Sequence, residues 1–217
     1  MTPRPRTIPD EVILEAAGRI IVKLGPSRFT LADVAGEVGL SPATLLQRFG
    51  SKRGLMLALA ESAVAFVDAC FGMIRGAHPD SPLDALLAAA THMAQYVHSP
   101  EEMANHLAFL QIDLSDPDFH RLALENNTRI LAGYRALLDD AVAAGELAPC
   151  DTARLARAVG AVSGGSLITW AIMREGEVIA FVREDLETLL APYRAAETRR
   201  GKAKVRAGGK RRVASRQ

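Results

Sequence analysis

The chain of 217 residues is long enough to bury a substantial hydrophobic core, and 49% of its residues are hydrophobic. Its only cysteines, Cys70 and Cys150, form no CxxC pair and no metal-ligand spacing, so we expect reduced thiols rather than a disulfide framework. The sequence has no charged-then-apolar leader and no run of 18 uninterrupted apolar residues, which predicts a cytoplasmic protein without a membrane span.

The formal net charge of +1 is distributed unequally along the chain. Residues 1–56 hold 8 Lys and Arg against 5 Asp and Glu, residues 57–198 hold 9 against 20, and residues 199–217 hold 9 against none. A basic N-terminal part joined to an acidic body favours a protein that approaches a polyanion with one end. The C-terminal segment is rich in charge and glycine and lacks apolar periodicity, which predicts a disordered basic tail over residues 197–217.

Apolar residues recur at helical spacing along the chain and alternating strand patterns are missing, so the sequence predicts an all-α fold of about nine helices. Three serines, Ser41, Ser81 and Ser99, each precede a proline, a pair that suits the N-cap and the first position of a helix. In chain order, the predicted helices span about 9–24, 31–38, 42–49, 52–74, 82–98, 100–113, 117–144, 152–174 and 178–195.

The second and third predicted helices are short and are joined by a glycine turn at residues 39–41. This spacing is typical of a helix-turn-helix, whose second helix enters a DNA major groove. Leu45 and Phe49 would hold the third helix to the core, and the residues left to meet bases or phosphates would be Ala43, Thr44, Gln47 and Arg48. A pair of short helices joined by glycine also occurs as ordinary packing, and spacing alone leaves both interpretations open.

The stretch "ILEAAGRIIVKLGPSRFTLADVAGEVGLSPATLLQRFGSKRGLMLAL", residues 13–59, resembles the DNA-binding domain of TetR-type transcriptional regulators. The resemblance includes "FTLADVA", the "GLSPATL" turn, and "FGSKRGL" at the start of a long fourth helix. It implies an all-α homodimer that binds double-stranded DNA at a palindromic operator and binds a small-molecule effector with its C-terminal part. The implied activity is ligand-responsive transcriptional regulation, most simply repression, and not enzymatic catalysis.

The resemblance also assigns roles to individual residues. It implies a phosphate contact for Thr30 and for Lys52, base-reading or groove-facing positions for Ala43, Thr44 and Gln47, and a base or phosphate contact for Arg48. Thr30 and Ser41 would cap helices with or without DNA. The family usually has a tyrosine where this chain has Leu46, which would replace a phosphate contact by an apolar one. The predicted DNA-binding residues are therefore Thr30, Ser41, Ala43, Thr44, Leu46, Gln47, Arg48 and Lys52.

These features predict a DNA-binding domain over residues 1–56 and an effector-binding and dimerisation domain over residues 57–196, followed by the tail. The helices near 152–174 and 178–195 carry apolar stripes and small residues, which favours a four-helix interface between two subunits. Packing within one chain is the alternative for these helices. The fourth helix begins at Lys52 and ends in the predicted effector domain, so it would couple the two.

The effector is predicted to be apolar or amphipathic, because few charges fall at inward positions. Its candidate ligands in the protein are aromatic, soft or polar-tipped side chains of the middle helices: Phe66, Cys70, Met93, Tyr96, His106, Phe109 and Tyr134. Side chains of these types at such positions are more often ordinary core residues. No pair of histidines has the spacing of an easily built metal site, and no cofactor is predicted.

Two other classes of function stay open at this point. An enzyme would use Ser163 or Ser166 with His106 as its base, although no known nucleophile motif surrounds them. A ligand-independent, nonspecific DNA binder would rely on the basic tail, which could hold phosphates or only confer solubility.

Overall fold

The computed structural model describes residues 8–195, and the predicted basic tail at 197–217 lies outside them. Within the described range the fold is all-α, as predicted, with nine α-helices and two 3-10 turns and no strand pairing beyond one isolated bridge. The helices are α1 (Asp10–Leu24), α2 (Leu31–Glu37), α3 (Pro42–Phe49), α4 (Lys52–Ala77), α5 (Pro82–Ala90), α6 (Pro100–Ser115), α7 (Pro117–Ala143), α8 (Thr152–Met173) and α9 (Val178–Leu190).

The predicted serine caps are present. Each serine accepts a hydrogen bond from the backbone N–H three residues later: Ser41 from Thr44, Ser81 from Asp84, and Ser99 from Glu102. Such a bond satisfies one of the N–H groups that the first turn of a helix leaves unpaired. The local sequence therefore determines where α3, α5 and α6 begin.

Two predicted helices are shorter than expected. The helix predicted at 82–98 ends at Ala90 and is followed by a 3-10 turn at His92–Tyr96. Between them, the buried Thr91 donates its hydroxyl to the carbonyl of Leu87 at 2.8 Å, a bond that competes with the regular helical ladder. The helix predicted at 178–195 ends at Leu190, because Pro192 cannot donate the N–H that would continue it.

The buried side chains form two clusters. The first lies among α1, α2, α3 and the start of α4, and the second joins α5, α7, α8 and α9. Phe119 from the first turn of α7 belongs to the first cluster, and Phe109 and Ile112 of α6 pack against it. The first cluster thus continues past residue 56 along α4, and α6 and α7 pack directly against it.

Two helices, α4 and α8, are long and apolar enough to cross a membrane by length and composition alone. The core helices of soluble proteins meet the same criterion. In this fold α8 packs against both α7 and α9, and α4 packs along α7.

Candidate DNA-binding site

A reciprocal pair of hydrogen bonds fixes the start of α2. The Thr30 hydroxyl accepts from the Asp33 N–H at 3.2 Å, and the Asp33 carboxylate accepts from the Thr30 N–H at 2.7 Å. The Thr30 hydroxyl also donates to this carboxylate, and these bonds lower the pKa of Asp33. Thr30 is thus an exposed capping residue whose hydroxyl is already engaged within α2.

The third helix is fixed at both ends and along one side. At its start, the Ser41 hydroxyl lies 2.9 Å from that of Thr44, in addition to accepting the Thr44 N–H. At its end, Gly50 has a φ of 74°, a conformation that glycine adopts without strain. Leu45 is fully buried between these ends and holds α3 to the first cluster.

The opposite side of α3 is exposed. Ala43, Leu46 and Gln47 lie there, at the i, i+3 and i+4 positions that share one face of a helix, and Leu46 is 52% exposed. Within residues 8–195 the Gln47 side chain forms no hydrogen bond. Its amide can pair with the edge of adenine in a major groove, and the two apolar side chains suit a thymine methyl group.

Arg48 lies differently from the free side chain expected from the sequence. Its guanidinium donates to the carbonyl of Ile8 at 2.6 Å and to the Asp10 carboxylate at 3.1 Å, and its side chain is only 22% exposed. Arg48 therefore ties α3 to the start of α1. A DNA contact from this residue would require it to exchange these partners or to share its donors.

Lys52 at the first position of α4 is also bound within the domain. Its ammonium donates to the carbonyl of Ser27 at 2.9 Å and lies 4.3 Å from the centre of the Phe29 ring. Burial lowers the pKa of Lys52 despite the nearby Asp33. The same cation lies where the backbone N–H groups of α4 begin, which is a favourable place for a phosphate.

Two sets of polar contacts join this N-terminal unit to α6 and α7, in addition to the apolar packing of Phe119 and Phe109. At the first, Arg53 of α4 donates to Asp116 at 2.9 Å and to Asp118 at 2.8 Å. The bonds to Asp118 and Asp116 raise the pKa of Arg53, and the bond from Arg53 lowers the pKa of Asp116. Asp116 also caps α7, so this ion pair fixes the start of α4 to the junction of α6 and α7.

The second contact lies at the C-terminus of α1. The side-chain amide of Asn105 on α6 donates to the carbonyls of Val22 and Lys23, at 2.8 and 3.2 Å. These carbonyls lie in the last turn of α1, where backbone acceptors lack helical partners. Gly25 follows with a φ of 82°, and a Cβ atom there would lie 2.5 Å from the Asn105 Oδ1 atom. Sequence reasoning missed this contact, because nothing local to Asn105 indicates a partner about eighty residues earlier.

The seven predicted effector residues lie in different surroundings. Tyr134 is buried in the second cluster, edge-to-face with Phe71 at 5.6 Å, and burial raises its pKa to about 12 with a smaller contribution from Cys70. Burial likewise raises the pKa of the half-buried Cys70 thiol. The other side chains lie apart from this pair: Phe66, Met93 and Tyr96 are exposed, and Phe109 packs against Phe119 of the first cluster.

Burial shifts the pKa values of two titratable groups on α6. The His106 ring bonds to the backbone of Tyr96, but its Nε2 atom is buried and without a hydrogen-bond partner in the described structure. Burial lowers the pKa of His106. Asp113 lies two turns further on, and burial raises the pKa of this carboxyl from 3.8 to about 6. The sequence had pointed to His106 but not to Asp113.

The serines considered for catalysis have other partners. Ser163 donates to the carbonyl of Ala90, and Ser166 donates to the Asp185 carboxylate at 2.6 Å. Neither forms a hydrogen bond with a histidine within residues 8–195. The same range contains no group of three or more His, Cys, Asp or Glu side chains arranged to hold a metal ion.

Comparison with known proteins identifies the family. Residues 13–59 match the family described as bacterial regulatory proteins, tetR family. The HTH-type transcriptional regulator BetI of Rhizobium meliloti is 31% identical over 139 residues, which are 60% of this chain and 68% of that relative. The chain belongs to the tetR family. The resemblance stated from residues 13–59 is thereby confirmed, and the family is one of transcriptional regulators rather than of enzymes.

Solved structures share the fold of this tetR-family chain. A transcriptional regulator from Saccharomonospora viridis, crystallised with choline, is 19% identical with a TM-score of 0.65 over 84% of this chain and 95% of that one. The regulator FadR of Bacillus subtilis, crystallised with stearoyl-CoA, is 15% identical with a TM-score of 0.60 over 82% of this chain and 96% of that one. Two such different ligands indicate that this fold does not by itself determine an effector.

Proposed function

We propose that this tetR-family regulator is a ligand-responsive, sequence-specific repressor that binds a palindromic operator as a cytoplasmic homodimer. The observation that carries the proposal is the exposed face of α3, where Ala43, Leu46 and Gln47 project from a helix held firmly on its other side. A rigid helix that presents a single amide among apolar side chains suits reading base edges in the major groove. No catalytic role is proposed for any residue.

The DNA contacts divide into two kinds. Gln47 and Leu46 would read bases, with Ala43 and Thr44 close to the groove, whereas the start of α2 at Thr30 and the start of α4 at Lys52 would meet phosphates. Ser41 would act through its cap on α3. Phosphate contacts position the protein, and base contacts confer specificity. Arg48 would act mainly by fixing α3 to α1, since its donors are already engaged.

Dimerisation would use α8 and α9. The exposed apolar side chains of these helices include Ile168, Ile172 and Ile179, and Ile172 is 76% exposed. A shallow groove of about 450 Å³ between the two helices is lined partly by Gly165, Ser166 and Leu189. Small residues allow the helices of a second subunit to approach closely, and a twofold dimer would place two α3 helices at successive major grooves.

Repression would end when an effector stabilises a state in which the two α3 helices no longer fit adjacent half-sites. Such a ligand must bind one state more tightly than the other. Two links could transmit the change. The Asn105 bonds join α6 to α1, and the Arg53 ion pair joins α4 to the start of α7. The coupling predicted through α4 alone would therefore also involve α6.

Binding of purified protein to a selected duplex tests the base-reading face. Gln47→Ala should lower affinity for the selected site by about tenfold and relax preference at one base pair of each half-site, because a bidentate amide contact is lost. Gln95→Ala, at an exposed glutamine far along the chain in the 3-10 turn, is the matched control and should change neither. Equal binding by wild type and Gln47→Ala across all single-base variants would contradict the assignment of α3.

Lys52→Ala tests the proposed phosphate contact separately from the base-reading face of α3. This change should weaken binding to every duplex alike and reduce the slope of log affinity against log salt by about one, as expected for the loss of one phosphate contact. An unchanged slope would mean that Lys52 serves only its bond to Ser27.

A further inference from the structure

An open groove of about 660 Å³, here called the α7–α8 groove, lies between those two helices. Its walls are partly apolar, with Leu131 from α7 and with Ala158 and Ala161 from α8. The helices approach closely at Gly160, where an added Cβ atom would lie 3.3 Å from Leu131 Cδ2. A volume of this size is typical of sites that bind small organic molecules.

The polar side chains of the α7–α8 groove have no partners in the described part of the chain. Arg154 and Arg157 lie at i and i+3 on α8, positions that share one face of a helix, and Asn127 lines the groove from α7. Within residues 8–195 none of these three side chains forms a hydrogen bond or an ion pair. Like charges one turn apart on a helix repel each other, so the groove carries positive charge that no ion pair among these residues offsets.

The acidic body of the protein makes these two arginines unusual. Residues 57–198 hold 20 Asp and Glu against 9 Lys and Arg, so carboxylates are abundant. Other arginines of this part are paired with carboxylates: Arg75, Arg129, Arg135 and Arg183. A single exposed arginine such as Arg121 is satisfied by water, whereas two unpaired arginines that line one groove together favour an anion.

We infer that the α7–α8 groove binds an amphipathic anion, whose phosphate or carboxylate group pairs with Arg154 and Arg157 and whose short apolar chain lies along Leu131. A guanidinium group can donate two parallel hydrogen bonds to either kind of anion, and such charge-assisted bonds are stronger than neutral ones. The Asn127 amide supplies a further donor from the α7 wall. The inference goes beyond the proposed function, because it assigns a ligand class to a groove that contains none of the seven predicted effector residues.

A second subunit is the alternative occupant of the groove. Ala161 lies seven residues before Ile168 on the outer face of α8, so the groove borders the proposed dimer interface. Arg157, however, precedes the exposed Ile172 by fifteen residues, which is about 22 Å along a helix. This separation from the most exposed apolar side chain of α8 favours a free ligand over the partner subunit.

Calorimetric titration of the full chain without DNA tests the inference. The probe is octyl phosphate; inorganic phosphate lacks its apolar chain, and octan-1-ol lacks its charge. We expect octyl phosphate to bind at least about tenfold more tightly than either comparison compound, because each comparison compound loses the contacts of one part of the groove. Equal binding of octyl phosphate and either comparison compound, or no binding by any of the three, would overturn the inference.

Variants of the arginines assign the effect to the groove. Arg154→Gln/Arg157→Gln should reduce octyl phosphate to the affinity of octan-1-ol, and glutamine, like arginine, favours a helix, so α8 should remain folded. Arg121→Gln, at an exposed arginine of α7 without an ion pair within residues 8–195, is the matched control and should leave the affinity unchanged. An unchanged affinity in the double variant would contradict the site.

Sedimentation of the same variants separates the two occupants. A double variant that loses octyl phosphate but keeps the oligomeric state of the wild type supports the ligand site. Dissociation of the double variant would assign the arginines to a contact with the partner subunit and overturn the inference. Binding of octyl phosphate by a wild-type protein that selects no operator would leave this inference intact and contradict the proposed function instead.

Discussion

The Asn105 amide on α6 bonds to the carbonyl of Val22 in the last turn of α1 at 2.8 Å, across 83 positions of sequence. The bond gives α1 a C-terminal cap taken from the other half of the molecule. Motion of α6 must therefore either move α1 or break this bond. Under the proposed function, Asn105 would transmit a movement of α6 to the DNA-binding helices.

Gly25→Ala should disrupt this link from the other side. The glycine has φ 82° and ψ 155°, a region that other residues rarely adopt, and the added methyl group would lie 2.5 Å from Asn105 Oδ1. We expect a loss of unfolding free energy of about 2–3 kcal/mol in denaturant titration. Gly39→Ala, with φ 68° and open space around its Cβ position, should lose only about 1 kcal/mol.

The double variant Gly25→Ala/Asn105→Ala separates the two causes of this loss. If the clash with Asn105 contributes, the double variant should lose about 1 kcal/mol less unfolding free energy than the two single variants lose in sum. Strict additivity would show that Gly25 is constrained by its backbone alone.

Gly165→Arg should prevent dimerisation without unfolding the subunit. A Cβ atom at Gly165 meets nothing within 4 Å, and arginine favours a helix over glycine, so the single chain tolerates the change. The arginine side chain would occupy the groove between α8 and α9 and prevent a second subunit from packing there. Sedimentation should show a dimer for wild type and for Gly72→Arg, an equally open position on α4, and a monomer for Gly165→Arg. A dimeric Gly165→Arg would place the interface elsewhere.

Asp113 should make stability depend on pH in a defined direction. Its folded-state pKa of about 6 lies above the unfolded value near 3.9, so the folded protein binds more protons between these values. Its contribution to the free energy of unfolding is therefore highest below pH 4 and decreases as the pH rises through 6. The Asp113→Asn variant should lack this decrease in unfolding free energy, because asparagine does not titrate.

The stability difference between Asp113→Asn and wild type isolates this titration from the other carboxyls. It should grow from pH 4 to pH 7 by about 1 kcal/mol, a value reduced for the solvent access that a half-buried group retains. A difference that stays constant over this range would mean that Asp113 is solvated or paired.

Local sequence signals predicted much of the fold and part of the site. Capping serines followed by prolines placed the starts of α3, α5 and α6, and helical spacing identified the outer face of α3. The break at Thr91 was missed because a hydroxyl that bonds back to the helix leaves no distinctive pattern. Arg48 was expected to be free because its partners, Ile8 and Asp10, are distant in sequence.

The effector side was less predictable for a physical reason. Aromatic and soft side chains at helical spacing serve equally well in a core, and Phe109 and Tyr134 indeed lie in the two cores. Asp113 was overlooked because a charged residue is expected to face water. Only the structure shows that this side chain is partly buried, which raises its pKa.

Selection of bound sequences from a random duplex pool, at physiological salt, tests the central claim most directly. The account predicts a palindrome whose half-sites lie about one helical turn apart, about 34–36 Å, because two α3 helices would read successive grooves. The same selection with residues 199–217 deleted should recover the same palindrome at lower affinity. Two results would contradict the account and favour a nonspecific binder: recovery of no preferred sequence, or loss of all binding when residues 199–217 are deleted.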